Sequence, residues 1–359
     1  MLDTTRLHPE ADSMTTTASV AVIGAGPAGL AISALLSAKG IAHVVYEKEQ
    51  QAGGLFMRIH PQLTFISPAF FNHLPLLKNR HVDADNSMGA YRHYLREYIE
   101  TFQPPLQLNT TIQQVSVKDG MYRLATSRGE IADYPVVIVA AGMASFPKPL
   151  PFAVPSQIEV QTGTAWRGAD YYRGKRVLVV GSGTTALELS ALLAGQCKVW
   201  LAMKHVNAIP LHVAGINLHW LIHVLELLPK VLYPALCRGD TREPPINKYI
   251  KGHIKQGLIK PVGAAVHFAG VQAIFSHGEP TQIDIVLNCT GYRYATDFLP
   301  ADVQRYPNGV VVCRHNQSIS HPGLFMLGYP CAGAIDSKYL RGIRRDARRI
   351  IKAEVFKRL

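Results

Sequence analysis

The feature that most constrains this chain is a glycine-rich turn that occurs twice. The first copy spans residues 24–29 (Gly-Ala-Gly-Pro-Ala-Gly), and the second spans residues 181–186 (Gly-Ser-Gly-Thr-Thr-Ala). Each copy follows a short apolar run and precedes a stretch whose apolar side chains have helical spacing. A strand, a glycine-rich turn and a helix in this order form the βαβ unit that binds a dinucleotide. The sequence therefore predicts two dinucleotide-binding units in one chain.

Each glycine of the first turn has a physical role in such a unit. Gly24 permits the tight turn, Gly26 lets the backbone approach a pyrophosphate, and Gly29 lets the helix pack closely on the strand. The pyrophosphate then lies at the positive N-terminal end of the helix. Glu47 ends the next apolar run, where a carboxylate accepts hydrogen bonds from a ribose diol. The residues predicted to form this site are Gly24, Gly26, Pro27, Ala28, Gly29, Glu47 and Lys48.

The second turn differs from the first in the charge that follows it. No acidic residue ends the next apolar run, and Lys204 and His205 stand there instead. A cation attracts a 2′-phosphate that a carboxylate would repel, so we predict selection of NADP(H); the alternative is a surface lysine. The residues predicted to form this site are Gly181, Gly183, Thr184, Thr185 and Lys204. Two dinucleotides in one chain suit an oxidoreductase that keeps one as electron carrier and exchanges the other as hydride donor.

Further motifs extend the pattern beyond the two turns. They are Gly53-Gly54, Val139-Ala140-Ala141-Gly142, Asn288-Cys289-Thr290-Gly291-Tyr292 and the segment 322–328. With the two turns and Glu47, they resemble the class B flavin-dependent monooxygenases, and among these the YUCCA-type enzymes and the bacterial CzcO-like oxidoreductases. The resemblance covers about residues 19–350. It implies FAD at the first turn and NADPH at the second, and it adds to the cofactor-binding residues Gly54, Leu55, Gly142, Gly291 and Gly328.

The resemblance also implies a domain arrangement. We expect an α/β fold of two Rossmann-like three-layer domains, with the NADP(H) domain inserted into the FAD domain. Residues 19–150 and 296–359 are expected to form the FAD-binding domain, and residues 151–295 the inserted domain, because prolines cluster near residue 150. Residues 1–18 are polar without an apolar core and are expected to form a loose tail, neither a signal peptide nor a membrane anchor. A closing helix is predicted over residues 337–356.

In enzymes of this kind NADPH reduces FAD, O₂ adds at flavin C4a, and the C4a-(hydro)peroxyflavin inserts one oxygen atom into a small apolar or amphipathic substrate. The adduct must be shielded from water, which requires an apolar, closed pocket. The apolar segment 207–236 is a candidate lid. The alternatives are that this segment forms core, the contact of a homodimer, or a peripheral contact with a membrane surface.

Three positions depart from the patterns of related enzymes. The segment 160–166 lacks the histidine of the monooxygenase motif before the second turn, and Ile66 stands where many members place an asparagine beside the flavin. Ile66 and Ser67 are therefore the flavin-proximal candidates, and no catalytic residue is assigned. Tyr329 follows Gly328 where disulfide reductases usually have an acidic residue. Two alternative functions stay open: a flavin reductase of a disulfide, quinone or protein acceptor, and a non-enzymatic flavin-bound redox sensor.

Net charge and cysteine content narrow the classes of partner and of chemistry that this chain can have. The formal net charge is +12, which suits phosphorylated cofactors, and no basic run with interleaved aromatic residues favours nucleic acid. The five cysteines include no Cys-x-x-Cys pair, which excludes a redox dithiol of that type and fits a reducing, cytoplasmic location. His212, His219 and His223 lack enough neighbouring ligands to predict a metal site. The basic stretch 341–357 is predicted to be a solvated helix face.

Overall fold

The structure is a computed structural model that describes residues 18–78, 86–144, 146–203, 211–213, 216–220, 249–334 and 336–357. In these residues the helices are α1 (Pro27–Ser37), α2 (Met88–Phe102), α3 (Thr184–Leu193), α4 (Ile250–Lys255) and α5 (Leu340–Ile350). The strands are β1 (Val20–Ile23), β2 (His43–Tyr46), β3 (Leu106–Gln107), β4 (Ile112–Lys118), β5 (Met121–Thr126), β6 (Ile131–Tyr134), β7 (Val136–Val139), β8 (Phe146–Pro147), β9 (Glu159–Thr162), β10 (Arg176–Val180), β11 (Lys198–Ala202), β12 (His212–Val213), β13 (Ile216–Asn217), β14 (Ile259–Val262), β15 (Ala265–Ala269), β16 (Gln272–Phe275), β17 (Thr281–Gln282), β18 (Ile285–Asn288), β19 (Tyr292–Arg293), β20 (Cys313–Arg314), β21 (Gln317–Ser318) and β22 (Leu324–Met326).

The first sheet has the strand order β20-β21-β22-β7-β1-β2-β3, and the strands from β22 to β3 run parallel. Every residue of β1 and of β7 is buried. Such uninterrupted apolar strands are typical of a parallel sheet whose two faces are both covered.

Successive residues of these strands point to opposite faces, and each face has a different cover. Val20, Val22 and Ile138 pack with buried residues of α1, α2 and α5. Ala21 and Val139 pack instead with the antiparallel sheet β4-β5-β6. The result is a three-layer unit with helices on one side and a small sheet on the other.

The second sheet repeats this plan with the parallel order β14-β11-β10-β18-β9. Val177 and Val179 face helices α3 and α4, whereas Leu178 and Val180 face the antiparallel sheet β15-β16-β17. In the chain, all strands of the second sheet lie between β7 and β20 of the first. The predicted α/β class with two Rossmann-like units is confirmed.

The C-terminal helix is shorter than the predicted 337–356. It begins at Leu340, because Tyr339 before it is extended, and a separate 3₁₀ turn covers Glu354–Lys357. Its arginines also do not form a simple solvated face. Arg345 pairs with Asp336 at 2.7 Å and with Asp346 at 3.0 Å, and Arg349 pairs with Asp346 at 3.3 Å. Both aspartates are almost completely buried, which the one-dimensional run of charges did not indicate.

Asp346 is the centre of this buried network. Its carboxylate accepts hydrogen bonds from Ser337 Oγ at 2.5 Å and from Asn316 Nδ2 at 3.2 Å, in addition to its arginine partners. Asn316, Ser337 and Asp346 are each 0% exposed. The network therefore ties helix α5 to the loop after β22 and to the turn before β21.

We predict that Asp346→Ala lowers the free energy of unfolding by about 3 kcal/mol or more, because it leaves buried donors and guanidinium groups without their acceptor. Urea unfolding followed by circular dichroism measures this. The matched control is Asp133→Ala, which breaks the exposed pair with Arg123 and should leave the midpoint nearly unchanged. Equal midpoints for the two variants would contradict the role assigned to the buried network.

Candidate dinucleotide-binding sites

The first glycine turn joins β1 to α1 with no room for side chains at two positions. A Cβ at position 24 would lie 2.6 Å from the carbonyl oxygen of Ala140, and Gly24 has φ +101°. A Cβ at position 29 would lie 1.8 Å from the carbonyl oxygen of Gly24. These two glycines therefore let β1, β7 and α1 converge at the carboxyl edge of the sheet.

Gly26 faces open space rather than packed side chains. It is the N-cap of α1 and carries no capping side chain, and Pro27 and Ala28 begin the helix. Among the described residues, the Cα of Gly54 is the one non-adjacent atom that a Cβ at position 26 would approach within 4 Å, at 3.9 Å. Gly53 N donates to Ala25 O at 2.8 Å, which holds the Gly53-Gly54 turn against the first glycine turn. The first-turn N–H groups of α1 are thus open to an anionic ligand.

Glu47 stabilises the first glycine turn through a hydrogen bond and also offers carboxylate oxygens as acceptors to a ligand. Its side chain is 5% exposed, Oε2 accepts from Ala25 N at 2.7 Å, and Oε1 accepts from Glu49 N at 3.0 Å. Each carboxylate oxygen retains acceptor capacity, so bonds from a ribose diol remain compatible with this geometry. Lys48 is exposed, 3.9 Å from the Glu49 carboxylate.

The other residues implied for this site lie on four segments, two of which meet at the first turn. Leu55 follows Gly54 in a 3₁₀ turn, and Gly328 comes so close to α1 that its Cβ would lie 3.2 Å from Ala28 Cβ. Gly142 and Gly291 both have positive φ and lie on segments that cross between the sheets, where β8 pairs with β19. The structure thus brings the glycines at 54 and 328 to the first turn and places those at 142 and 291 at the crossover.

Ile66 and Ser67 belong to a loop fixed by two side-chain amides, that of the buried Asn72 and that of the half-buried Asn86. Asn86 Nδ2 donates to Phe65 O and Ser67 O, each at 2.9 Å, and Ser67 Oγ donates to Asn72 Oδ1 at 2.8 Å. Asn72 Nδ2 donates to Asn86 Oδ1 at 3.2 Å, which joins the two amides. The sequence analysis missed Asn72 and Asn86, because isolated asparagines in a loop carry no spacing signal.

The second turn repeats the geometry of the first. Gly181 has φ +144°, and its Cβ would lie 2.2 Å from Cys289 O. Gly183 is the N-cap of α3, and none of the non-adjacent atoms of the described residues lies within 4 Å of its Cβ position, so among these residues Thr184 and Thr185 begin the helix without a neighbour packed against the turn. Ala186, at the third glycine position, is fully buried. Lys204 and His205 lie outside the described residues, so the selection of NADP(H) stays a prediction.

The comparison with known proteins agrees with this geometry. Residues 21–208, more than half of the chain, match the pyridine nucleotide-disulphide oxidoreductase family. The chain belongs to this family.

Three individual proteins show what else this chain is similar to. A CzcO-like oxidoreductase from Geobacillus kaustophilus is 25% identical over 340 residues, covering 92% of this chain and 97% of the relative. The indole-3-pyruvate monooxygenase YUCCA1 from Oryza sativa subsp. japonica is 26% identical over 315 residues, covering 76% of each chain. The flavin-containing monooxygenase from Stenotrophomonas maltophilia superposes with a TM-score of 0.78 at 19% identity, covering 95% of this chain and 99% of that chain. The predicted resemblance is confirmed, and the superposition shows the fold.

Disulfide chemistry, for which the family is named, finds little support in the described thiols. Burial raises the pKa of Cys197 to about 11 and the pKa values of Cys289 and Cys313 to about 12. A thiol with such a pKa is a weak nucleophile, because the thiolate is the reactive form. None of the four described cysteines forms a disulfide with another described cysteine.

The candidate lid and the histidines are only partly described. His219 is buried and bonded to Asn217, and burial together with Arg341 lowers its pKa to about 4. His223 and most of segment 207–236 lie outside the described residues. Within the part of the chain that the structure describes, no three His, Cys, Asp or Glu side chains cluster as a metal site would require. None of the described helices has the length and apolar character needed to cross a membrane.

Glu188 is a functional candidate that the sequence did not indicate. It lies on α3, five residues after the N-cap Gly183. Burial raises the pKa of its carboxyl from 4.5 to about 7, and a hydrogen bond from the Thr64 backbone partly opposes this. An open cleft of about 630 Å³ begins beside Thr64, lined by Pro61, Gln62, Thr64, Ser87, Gly89, Ala90 and His93. No residue of either glycine turn is among the described residues that line this cleft.

The raised pKa of Glu188 predicts a pH-dependent stability. Between pH 4.5 and about 7 the folded protein holds a proton that the unfolded chain has lost, so rising pH favours unfolding across this range. Relative to Glu188→Gln, the wild type should lose up to about 3 kcal/mol over that interval. Unfolding curves at several pH values measure the difference. The control Glu100→Gln, at an exposed position of α2, should leave the wild-type slope intact, and a Glu188→Gln slope equal to it would refute the assignment.

Proposed function

We propose that this chain is an FAD-containing, NADPH-dependent monooxygenase that inserts one atom of O₂ into a small apolar or amphipathic substrate. The observation that carries the proposal is the pair of open glycine turns, at Gly26 and Gly183, on two parallel sheets of one chain. The sheets are joined where β8 pairs with β19, which is the arrangement needed for one dinucleotide to reduce another. The curated relatives include indole-3-pyruvate monooxygenases, which supports the oxygenase outcome.

The first site fits FAD. The uncovered backbone at Gly26 and Gly54 suits a pyrophosphate, and the buried carboxylate of Glu47 suits a ribose diol. Gly328 packs against Ala28, at the start of the helix that follows the turn. We accordingly assign residues 19–150 and 296–359 to the FAD domain.

The second site fits a nicotinamide dinucleotide that exchanges with solvent. Ser182 and Gly183 are exposed at the N-terminus of α3, whereas the first turn is more enclosed. Preference for NADPH over NADH depends on Lys204, as the charge argument predicts. Residues 151–295 would form this inserted domain, with segment 207–236 as lid.

Bound FAD would supply acceptance of a hydride and delivery of its electrons to O₂. The chain's own contribution is to position the cofactor and exclude water. The loop with Ile66 and Ser67 is fixed by Asn72 and Asn86, and the rings of Phe56, Phe65 and Tyr91 pack at 4.9–5.8 Å behind it. This apolar wall would restrict access of water to the flavin side of the loop.

A flavin reductase is the second candidate. The family contains disulfide-reducing enzymes by name, and the segment around Ile66 lacks the asparagine that many oxygenases have. The high pKa values of three described thiols oppose a disulfide acceptor, which leaves a quinone or protein acceptor. The cytoplasmic location follows from the scattered cysteines and remains part of the proposal.

Matched tryptophan substitutions should separate the two sites. Gly26→Trp would fill the open space of the first turn and abolish FAD binding, whereas Gly183→Trp would leave FAD bound and abolish reduction by NADPH. Flavin absorbance of the purified proteins and NADPH oxidation measure the two properties. Full flavin content in Gly26→Trp would refute the first assignment.

The oxygenase outcome is tested by anaerobic reduction with NADPH followed by mixing with oxygenated buffer. We expect rapid bleaching of the flavin, then a near-ultraviolet band that persists before oxidised flavin returns, because a shielded site delays release of hydrogen peroxide. Immediate return of oxidised flavin with stoichiometric peroxide would favour the reductase. A flavin that NADPH fails to bleach would favour the redox sensor.

A further inference from the structure

The arginines of α5 lie in two rows along the helix. Arg341, Arg345 and Arg349 are spaced four residues apart and pair with the two buried aspartates described above. Arg344 and Arg348 are also four residues apart, so they form a second row on another face of the helix. No aspartate or glutamate of the described residues pairs with this second row. The second row therefore carries positive charge that no described acidic side chain neutralises.

The second row faces the segment 73–78. The guanidinium group of Arg344 donates hydrogen bonds to the imidazole ring of His73. Burial, together with Arg344, Arg348 and Lys78, lowers the pKa of His73 to about 4, so this ring carries no charge near pH 7. Arg348 and Lys78 are exposed, whereas Arg344 is half-buried. Like the two arginines, Lys78 has no acidic partner in the described part of the chain.

Leu76, in the same segment, is held in solvent by a strained backbone. Its side chain is 53% exposed, and its φ of +69° lies in the left-handed region that leucine rarely adopts. Tyr94 of α2 fixes the backbone on both sides, because its hydroxyl accepts from Leu74 N at 2.7 Å and donates to Leu77 O at 2.9 Å. An apolar side chain kept exposed in this way indicates a contact with something outside the chain.

Phe70 and Trp220 extend the apolar surface beyond His73. The Phe70 ring is 55% exposed, and its centroid lies 6.0 Å from that of His73. It stacks on Trp220, which is 40% exposed, with centroids 5.5 Å apart and 28° between the ring planes. The Cα of Leu76 lies within about 11 Å of that of His73, because three residues cannot span more. The exposed apolar side chains therefore lie close to the cations around His73.

The surface of a bilayer with anionic phospholipids matches this combination of side chains. Aromatic rings lie at the level of the headgroups, a leucine enters the boundary of the acyl chains, and lysine and arginine bind the lipid phosphates. The formal net charge of +12 favours the approach of the whole protein to such a surface.

Other occupants match it less well. A second copy of the chain, docked through the same face, would bring Lys78 and Arg348 close to their own copies, and like charges repel. A free phosphate ion would bind the cations but leave Phe70 and Leu76 in water. An acidic protein is the remaining alternative, and the experiment below distinguishes it.

We propose that Phe70, Leu76, Lys78, Arg348 and Trp220 form a membrane-docking face that binds the surface of bilayers containing anionic phospholipids. The inference goes beyond the proposed function and does not depend on either cofactor. Docking of this kind needs no helix that crosses the bilayer, since the apolar side chains enter only the interfacial region. It would bring the protein to a phase in which apolar and amphipathic compounds concentrate.

The test is co-sedimentation of the purified full-length protein with vesicles of phosphatidylcholine, either alone or mixed with phosphatidylglycerol. We expect binding to the mixed vesicles and not to phosphatidylcholine alone, because the cations need anionic lipid. Added salt should weaken the binding, since the Debye length falls from about 10 Å at 0.1 M to about 3 Å at 1 M. Inorganic phosphate should weaken it no more than chloride at the same ionic strength. Stronger competition by phosphate would indicate a discrete anion site and overturn the inference.

Leu76→Asn separates docking from folding. Asparagine tolerates the left-handed conformation, so the melting temperature should stay the same or rise. Vesicle binding should nevertheless fall by about tenfold or more, because a leucine no longer enters the bilayer. The matched control is Ile131→Asn on β6, at a side chain that is 66% exposed in the layer on the opposite side of the first sheet. This control should bind as the wild type does.

Lys78→Ala and Arg348→Ala test the charge. Each should weaken binding to the mixed vesicles by about fivefold, which is the effect of one cation near an anionic surface. The control Lys118→Ala removes an exposed lysine at the end of β4, in the opposite layer, and should bind as the wild type does.

Three results would overturn the inference. One is a wild type that fails to bind the mixed vesicles at low salt; self-association, or binding of an acidic protein, that Leu76→Asn abolishes would then assign the face to a protein contact. Another is an equal loss of binding in Lys118→Ala and Lys78→Ala, which would mean adsorption through net charge alone. The third is undiminished binding by Leu76→Asn. None of these measurements involves FAD or NADPH, so the proposed function stands or fails separately.

Discussion

The close approach of a helix to the end of a strand, permitted by the absence of a side chain, is the constraint on which this protein depends. At Gly29 a Cβ would lie 1.8 Å from a carbonyl oxygen, and at Gly181 it would lie 2.2 Å from one. Only glycine allows this convergence, and the convergence aims unpaired N–H groups at open space beside Gly26 and Gly183. Both dinucleotide sites are consequences of the same packing geometry.

The two sites are nevertheless built unequally. At the first site, the buried carboxylate of Glu47 stabilises the turn by accepting a hydrogen bond from Ala25 N, and Gly328 packs against Ala28. At the second, the turn is exposed and no acidic residue follows it in the sequence. An enclosed site suits a dinucleotide that remains bound, and an exposed site suits one that exchanges. This asymmetry is consistent with the proposed assignment of the tightly held dinucleotide to the first site and the exchanging one to the second.

Two dinucleotide-binding units in one chain must also be held at a fixed position relative to each other, because the reacting ends of the two cofactors have to come close together. The crossing strands β8 and β19 supply one link, and the segment 59–64, buried in the second core through Leu63, supplies another. Arg92 and the N-terminus of α2 stiffen that segment from the first domain. Elements that look like connecting loops in the sequence thus help to hold the two sheets against each other.

The sequence alone determined the two βαβ units, the strand and helix order around them, and the placement of Gly24, Gly29 and Glu47, because these depend on local spacing. The two faces of β1 and β10 contact different layers because side chains alternate across any strand, and not because these apolar runs show alternation in the sequence. Only the tertiary structure decided the buried partners of Arg345 and Arg349, the amide pair Asn72 and Asn86, and the burial that raises the pKa of Glu188. These interactions join residues far apart in the chain, and no local pattern of charge or hydrophobicity records which distant backbone a side chain will meet.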